Sequence, residues 1–377
     1  VSLLMIILVT VGKCDLLEIQ DTLELPFAFG PQALQTGCLH ANDNKGYSVL
    51  NTTSGMILVQ FTIEPLSFQH PGDDIFARPE LVSYNGAIVD SQSNILYTYG
   101  AKLLFANSSV GGIESYNVKD NQLEKISSIS EFTGEIDGFD TLMLDPSTPS
   151  IYTITLDSDK TRLYELDLSQ ITPVVEHSRN VLTTEGHYMD GILVSSGETI
   201  DEFVLVTQGT NLNDSTNPVL ETPVLAGLNP MYPWVIQSLG HFITNSTVLE
   251  IVSCGESILL LTIQCDYGDN VCTDLYLVEF NTDLIHQISV RLGDASESID
   301  AKTTLTCAAN GIAFVTYDNV IYQVHISDSS VQNLTLYSYR EIIWAAVEPN
   351  SGSFYVGANP IASLASSVVI QVGTISY

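Results

Sequence analysis

Basic residues are scarce in this chain. Its 377 residues include 12 Lys plus Arg against 44 Asp plus Glu, a formal net charge of −32. Proteins that hold DNA or RNA neutralise phosphates with Lys and Arg, so a chain this acidic is repelled by nucleic acid. Polybasic attachment to an anionic membrane surface fails for the same reason. Charge is sparse altogether, at 15% of residues, while 45% are apolar. An average globular chain is about 25% charged, so the composition is that of a folded protein whose acidity reflects missing bases. Long apolar runs are missing too. The first eleven residues, VSLLMIILVTV, fall short of the about 20 needed to span a bilayer. Amphipathic helical periodicity is absent. So are the GxSxG, HExxH, P-loop and GxGxxG signatures, and no CxxC or Cys/His spacing suggests zinc. No catalytic residue is assigned, and the balance leans away from an enzyme.

What is present points to secretion. The apolar start, followed by Lys13, Asp15 and Glu18, has the length of a signal-peptide core. Residues 1–14 are expected to be a signal peptide, shortened at its start, with cleavage after Gly12 or Cys14. Five N-x-Ser/Thr sequons, at Asn51, Asn107, Asn213, Asn245 and Asn333, are expected to be glycosylated on exposed loops or outer strands. Six cysteines suit an oxidising, extracellular compartment without making a disulfide-dense scaffold. Cys265 and Cys272 bracket a polar turn and form the best local pair. Cys254 and Cys307 each precede a glycine and an apolar run, which puts them at equivalent repeat positions and makes a bridge plausible. Cys38 is odd unless Cys14 survives cleavage.

Short runs rich in Val, Ile, Leu, Tyr and Thr alternate with Gly, Asn, Asp, Ser and Pro clusters, the pattern of an all-β chain. One element recurs, a turn followed by a short apolar strand. It begins at Gly46, Asn94, Ser150, Glu202, Ser257, Gly311 and Gly352, at intervals of 48, 56, 52, 55, 54 and 41 residues. An alternating second strand follows most copies: ILVQFTI (57–63), IESYNVK (113–119), RLYELDL (162–168), LYLVEFN (275–281), VIYQVHI (320–326) and VVIQVGT (368–374). The fourth copy lacks it, because residues 211–233 read as Pro-rich loop. Seven units of three or four strands predict a seven-bladed β-propeller over residues 15–377, as a single domain. The strand-like segment Asp15–Leu25 is expected to complete the last blade and close the ring.

VDSQSNILYTYG (89–100), LDPSTPSIYTIT (144–155) and VEPNSGSFYVGA (347–358) share an apolar–acid–turn–apolar–Tyr pattern. It resembles the blade hairpin of the broad YVTN/NHL/quinoprotein-like propeller group. The WD dipeptide of WD40 blades and the double glycine of kelch blades are absent. The group contains binding platforms, lactonases, cyclases and dehydrogenases, so the resemblance implies fold and not activity.

Propeller ligands usually meet the chain where the innermost strands begin. The acids at those places are Glu80, Asp137, Asp190, Asp300 and Glu341, with His187 and His241 nearby; Asp-Gly recurs at 137–138 and 190–191. Converging carboxylates would make an oxygen cage suited to Ca²⁺. With a histidine base they could activate water, which makes an extracellular calcium-dependent hydrolase or cyclase the alternative function. The plainer reading is that these acids cap strand ends, and Asp90, Asp145 and Glu348 are read as turn residues. In the Pro-rich insertion, Met231, Tyr232 and Trp234 form a candidate contact loop. The function expected is that of a secreted glycoprotein propeller that binds an extracellular protein or glycan or assembles with itself, with no membrane span and no certain cofactor.

Overall fold

The structure is a computed structural model of the chain. It describes residues 15–30, 32–40, 43–68, 76–77, 79–105, 108–119, 123–129, 141–145, 150–157, 160–167, 174–181, 187–195, 200–208, 218–224, 235–241, 246–266, 271–281, 285–295, 302–308, 311–348, 351–363 and 365–376. From Tyr152 to Thr247 that description is of the backbone alone.

These residues form seven antiparallel sheets, with no α-helix among them. Sheet 1 holds β2 (Leu34–His40), β3 (Lys45–Thr52), β4 (Gly55–Ile63) and a split outer edge, β5 (Leu66–Ser67) and β6 (Phe76–Ala77), both paired to β4. Sheet 2 holds β7 (Ser83–Asp90), β8 (Ile95–Phe105), β9 (Ser108–Asn117) and β10 (Glu124–Ile129). Sheet 3 holds β11 (Thr141–Asp145), β12 (Ser150–Asp157), β13 (Lys160–Asp167) and β14 (Val174–Val181). Sheet 4 holds β15 (His187–Ser195), β16 (Ile200–Gln208), β17 (Pro218–Val224) and β18 (Val235–His241). Sheet 5 holds β19 (Ser246–Cys254), β20 (Ser257–Asp266), β21 (Val271–Asn281) and β22 (His286–Asp294). Sheet 6 holds β23 (Thr303–Ala308), β24 (Ile312–Tyr317), β25 (Val320–His325) and β26 (Ser330–Thr335). Sheet 7 holds β27 (Tyr339–Val347), β28 (Phe354–Pro360), β29 (Ser366–Ser376) and, outermost, β1 (Asp15–Phe29).

The recurring apolar element of the sequence is the second strand of each sheet. Such a strand is covered on both faces by neighbouring sheets, so it reads as a near-continuous apolar run rather than an alternation. In β20, Leu259, Leu261 and Ile263 face sheet 6, while Ile258 and Leu260, in the alternate positions, are equally buried. The fourth unit corrects the sequence reading. Residues 218–224 are strand, paired to β16 from Leu205↔Glu221 to Gln208↔Pro218, and to β18 on the other side. Prolines 218 and 223 disguise it. Proline is excluded from a ladder only where its N–H is required, and Pro218 opens the strand.

The first strands lie against one another in sequence: β2 on β7, β7 on β11, β11 on β15, β15 on β19, β19 on β23, β23 on β27 and β27 on β2. The cycle returns to its start. β1 runs antiparallel to β29, from Asp15↔Ser376 to Phe29↔Ser366. Between sheets 7 and 1, Leu25, Trp344, Tyr355 and Val369 pack on Leu34, Leu50, Val59 and Phe61. The Trp344 indole packs against Gly37 of β2 and Gly357 of β28, where any Cβ would overlap the ring. Asn359 clasps the same junction. Leu34 N–H donates to its Oδ1 at 2.9 Å, and its Nδ2 donates to the Leu34 carbonyl at 3.2 Å, across 325 residues of sequence.

Candidate functional site

The connection that leads into β7 is held by a buried carboxylate. Glu114 of β9 has no exposed side-chain surface. Its Oε1 accepts the Lys125 ammonium at 2.8 Å and the Glu80 backbone N–H at 2.7 Å. Its Oε2 accepts the hydroxyls of Tyr84 at 3.1 Å and Tyr116 at 3.0 Å. Lys125 reaches on to the exposed carboxylate of Glu80 at 3.0 Å. Local alternation explains the placement. Glu114 and Tyr116 of β9, with Val118 just past its end, point to one side, and that side faces sheet 1. A carboxylate in phase with buried Tyr and Val is the one sequence signal for this anchor, and sequence reasoning missed it.

Burial, then the negative charge of Glu114, pushes the Tyr84 and Tyr116 hydroxyls far above the ordinary tyrosine range, so they stay protonated donors. Burial alone would lower the Lys125 ammonium. Its hydrogen bonds and charge pairing with Glu114 and Glu80 outweigh that, and hold it above the ordinary lysine value. With each carboxylate oxygen of Glu114 taking two donors, the group is a satisfied anchor. It leaves no spare capacity for a ligand.

Of the candidate channel carboxylates, Glu80 is therefore exposed and paired to Lys125. Glu341 is the third residue of β27, and half-buried. Asp190 lies on β15, where only backbone is described. Asp137 and Asp300 lie outside the described residues. Among the described residues, no group of three or more His, Cys, Asp or Glu is arranged to hold a metal ion. His187 opens β15 and His241 ends β18, again as backbone. Met231, Tyr232 and Trp234 lie outside the described residues.

Two of the three turn acids, Asp90 and Glu348, behave as the sequence suggested, and Asp145 is described by its backbone alone. Asp90 accepts the Gln92 N–H at 2.9 Å and also the Ser93 hydroxyl. Glu348 accepts the Ser351 N–H. Cys254 and Cys307 stand at disulfide distance, Cα atoms 5.6 Å apart, and so link the first strands of sheets 5 and 6. Cys265 and Cys272 are backbone partners across the β20–β21 hairpin. Cys38 is buried and has no disulfide partner among the described residues, which exclude Cys14; burial raises its thiol out of the reactive range. Asn51 and Asn333 are exposed, the latter on the outer strand β26; Asn107, Asn213 and Asn245 lie outside the described residues.

No family model matches the chain, and no curated protein does. Solved structures do. The β-propeller domain of Cps50 (Swd1) from Myceliophteria thermophila aligns with a TM-score of 0.58 at 10% identity, covering 94% of this chain and 99% of that one. The fold is of the β-propeller type. Hydrazine synthase of Kuenenia stuttgartiensis aligns with a TM-score of 0.59 at 10% identity, over 92% of this chain and 96% of its own. At such identity these likenesses speak to fold alone. Within the propeller, the Glu114 anchor lies between neighbouring sheets, and it places the connection 79–82 at the start of an innermost strand.

Proposed function

We propose that this chain is a secreted, N-glycosylated propeller of seven blades, closed by β1, that serves as an extracellular binding or assembly module. The cycle of first strands from β2 round to β27 and back supports the blade number, and the β1–β29 ladder supports the closure. The apolar start, the sequons and the Cys254–Cys307 pair support secretion. One observation carries the functional reading. Among the described residues, the buried carboxylates Glu114 and Glu348 are both occupied in holding connections, which leaves loop surfaces as the recognition element. No helix of the described residues is long and apolar enough to cross a membrane.

The partner is an extracellular protein, a glycan or a second copy of the chain. Protein recovered from the medium of a secreting eukaryotic host should shift in mass on N-glycosidase treatment. Light scattering at rising concentration and a glycan array then separate self-assembly from carbohydrate binding. Retention inside the cell without glycans would overturn the reading.

A calcium-dependent hydrolase or cyclase is the second reading. It rests on the repeated Asp-Gly and on Asp190 and Glu341 lying on innermost strands. A melting midpoint that rises with Ca²⁺ and falls with chelator would favour it. An unchanged midpoint removes it.

A further inference from the structure

Each sheet runs antiparallel from first strand to fourth. First-to-second and third-to-fourth connections therefore leave at one end, and second-to-third and fourth-to-next-first connections at the other. Asn51 is the second-last residue of β3 and enters the second-to-third connection of sheet 1. Its neighbourhood is continuous with other connections of that end. The Asn51 N–H donates to the Ala33 carbonyl at 2.6 Å, Gly30 N–H to Ala365 at 3.1 Å and Ile361 N–H to Ser338 at 3.3 Å. This stitches the fourth-to-first connections 30–33 and 336–338 to the second-to-third connection 361–365. Three further sequons fall, in sequence, in gaps of the same two kinds. Asn107 is between β8 and β9, Asn213 between β16 and β17, and Asn245 between β18 and β19. No sequon falls in a connection of the other kind, and Asn333 is on an outer strand.

We infer that the propeller is glycosylated asymmetrically: Asn51 anchors a glycan-bearing face at the second-to-third end that shelters exposed apolar side chains there, and the opposite end carries no glycan. This rests on the secreted reading. A glycan is bulky and solubilising, and this end has apolar surface to shelter. Val82, Tyr337 and Ile361, all exposed, sit in connections there, with Tyr337 83% and Ile361 60% accessible. Large apolar side chains gathered on one face are otherwise an association liability. At the opposite end, Ile285 is exposed in a third-to-fourth connection, and Leu16 and Ile19 are exposed near the start of β1.

The test uses the full chain secreted from a eukaryotic host, with sequon occupancy read by mass spectrometry. Hydroxyl-radical footprinting is then run before and after enzymatic deglycosylation, and on Asn51→Gln. Asn51 should be occupied. Tyr337 and Ile361 should lose protection on deglycosylation and in Asn51→Gln, while labelling of Ile285 stays constant. Asn333 occupied with Asn51 bare would overturn the sidedness alone, as would unchanged labelling of Tyr337 and Ile361. An intracellular chain with every sequon bare would overturn the secreted reading and this inference together.

Discussion

Two seams between neighbouring sheets solve the same packing problem with different chemistry. Sheets 5 and 6 meet through Leu259, Leu261, Ile263, Leu275, Leu277, Val290, Val315 and Val324, an apolar layer. Sheets 1 and 2 meet through Tyr47, Val49, Leu58, Leu96, Tyr116 and Val118. That second seam also buries His40, Lys45, Gln60, Thr62, Thr98 and Glu114. An apolar seam gains about 1.5–3 kcal/mol for each large side chain taken from water, wherever the contact lies. A polar seam gains little on balance and depends on partners. Tyr47 Oη, Gln60 Oε1 and Thr62 Oγ1 find none among the described residues, each at a cost of about 1–3 kcal/mol. What the polar seam adds is position. Glu114 ties an inner strand, an outer strand and the connection between sheets to one point.

The largest effect should therefore come from Glu114→Ala. It strands Lys125 and two buried hydroxyls, and should cost about 3–5 kcal/mol in chemical unfolding. Leu261→Ala in the apolar seam should cost about 2–5 kcal/mol through its cavity. The two separate on rescue. Adding Tyr84→Phe, Tyr116→Phe and Lys125→Met to a Glu114→Leu chain should recover most of the loss, because the part-buried Glu80 N–H is then the one Glu114 donor left without its partner. Failure to recover would mean that the anchor is more than a local pairing.

Removing the link at the inner edge of the apolar seam, Cys254→Ala with Cys307→Ala, opens a loop of 53 residues. The loss should be about 2–4 kcal/mol by thermal unfolding, and reducing agent should then have no further effect through this pair. Asn359→Ala at the junction of sheets 7 and 1 unpairs both backbone groups of Leu34. A loss of about 1–3 kcal/mol is expected in the same measurement.

The smallest effect near neutrality is that of pH on the polar seam. Tyr84 and Tyr116 are raised above 10.0, the ordinary tyrosine value. Lys125 is raised above 10.5. The folded chain keeps protons that the unfolded chain releases, so their contribution is complete below about pH 10 and is lost as pH rises beyond it. Unfolding free energy should be flat from about pH 7 to 9 as far as these groups act, and should fall above about pH 10. Tyr84→Phe with Tyr116→Phe should flatten that fall. It should not abolish it, since burial also raises Tyr322 in the apolar seam.

The same contrast explains what the sequence makes legible. The second strands are visible because burial on both faces turns them into apolar runs, entered from turns at Asn94, Gly311 or Gly352 that take left-handed backbone angles. β17 is hidden because its prolines mimic a loop. The all-β class and the turn roles of Asp90 and Glu348 follow from local pattern. The Glu114 anchor does not. Its partners Tyr84 and Glu80 are 30 and 34 residues away, and only the register of three strands brings them together. Asp137 and Asp300 lie outside the described residues, so the channel cage stays a matter for the calcium test.

The proposed closure of the ring rests on the β1–β29 ladder, and an engineered cysteine pair tests it directly. Asp21 and Gln371 are backbone partners in that ladder. In an Asp21→Cys, Gln371→Cys chain, mild oxidation should crosslink β1 to β29 through the two introduced thiols, as found by peptide mapping, and should raise the melting midpoint. An Asp21→Cys, Ser289→Cys control, which joins β1 to the outer strand β22 two sheets away, should not crosslink. If both introduced thiols of the first pair stay free in the folded, oxidised chain, the closure is contradicted.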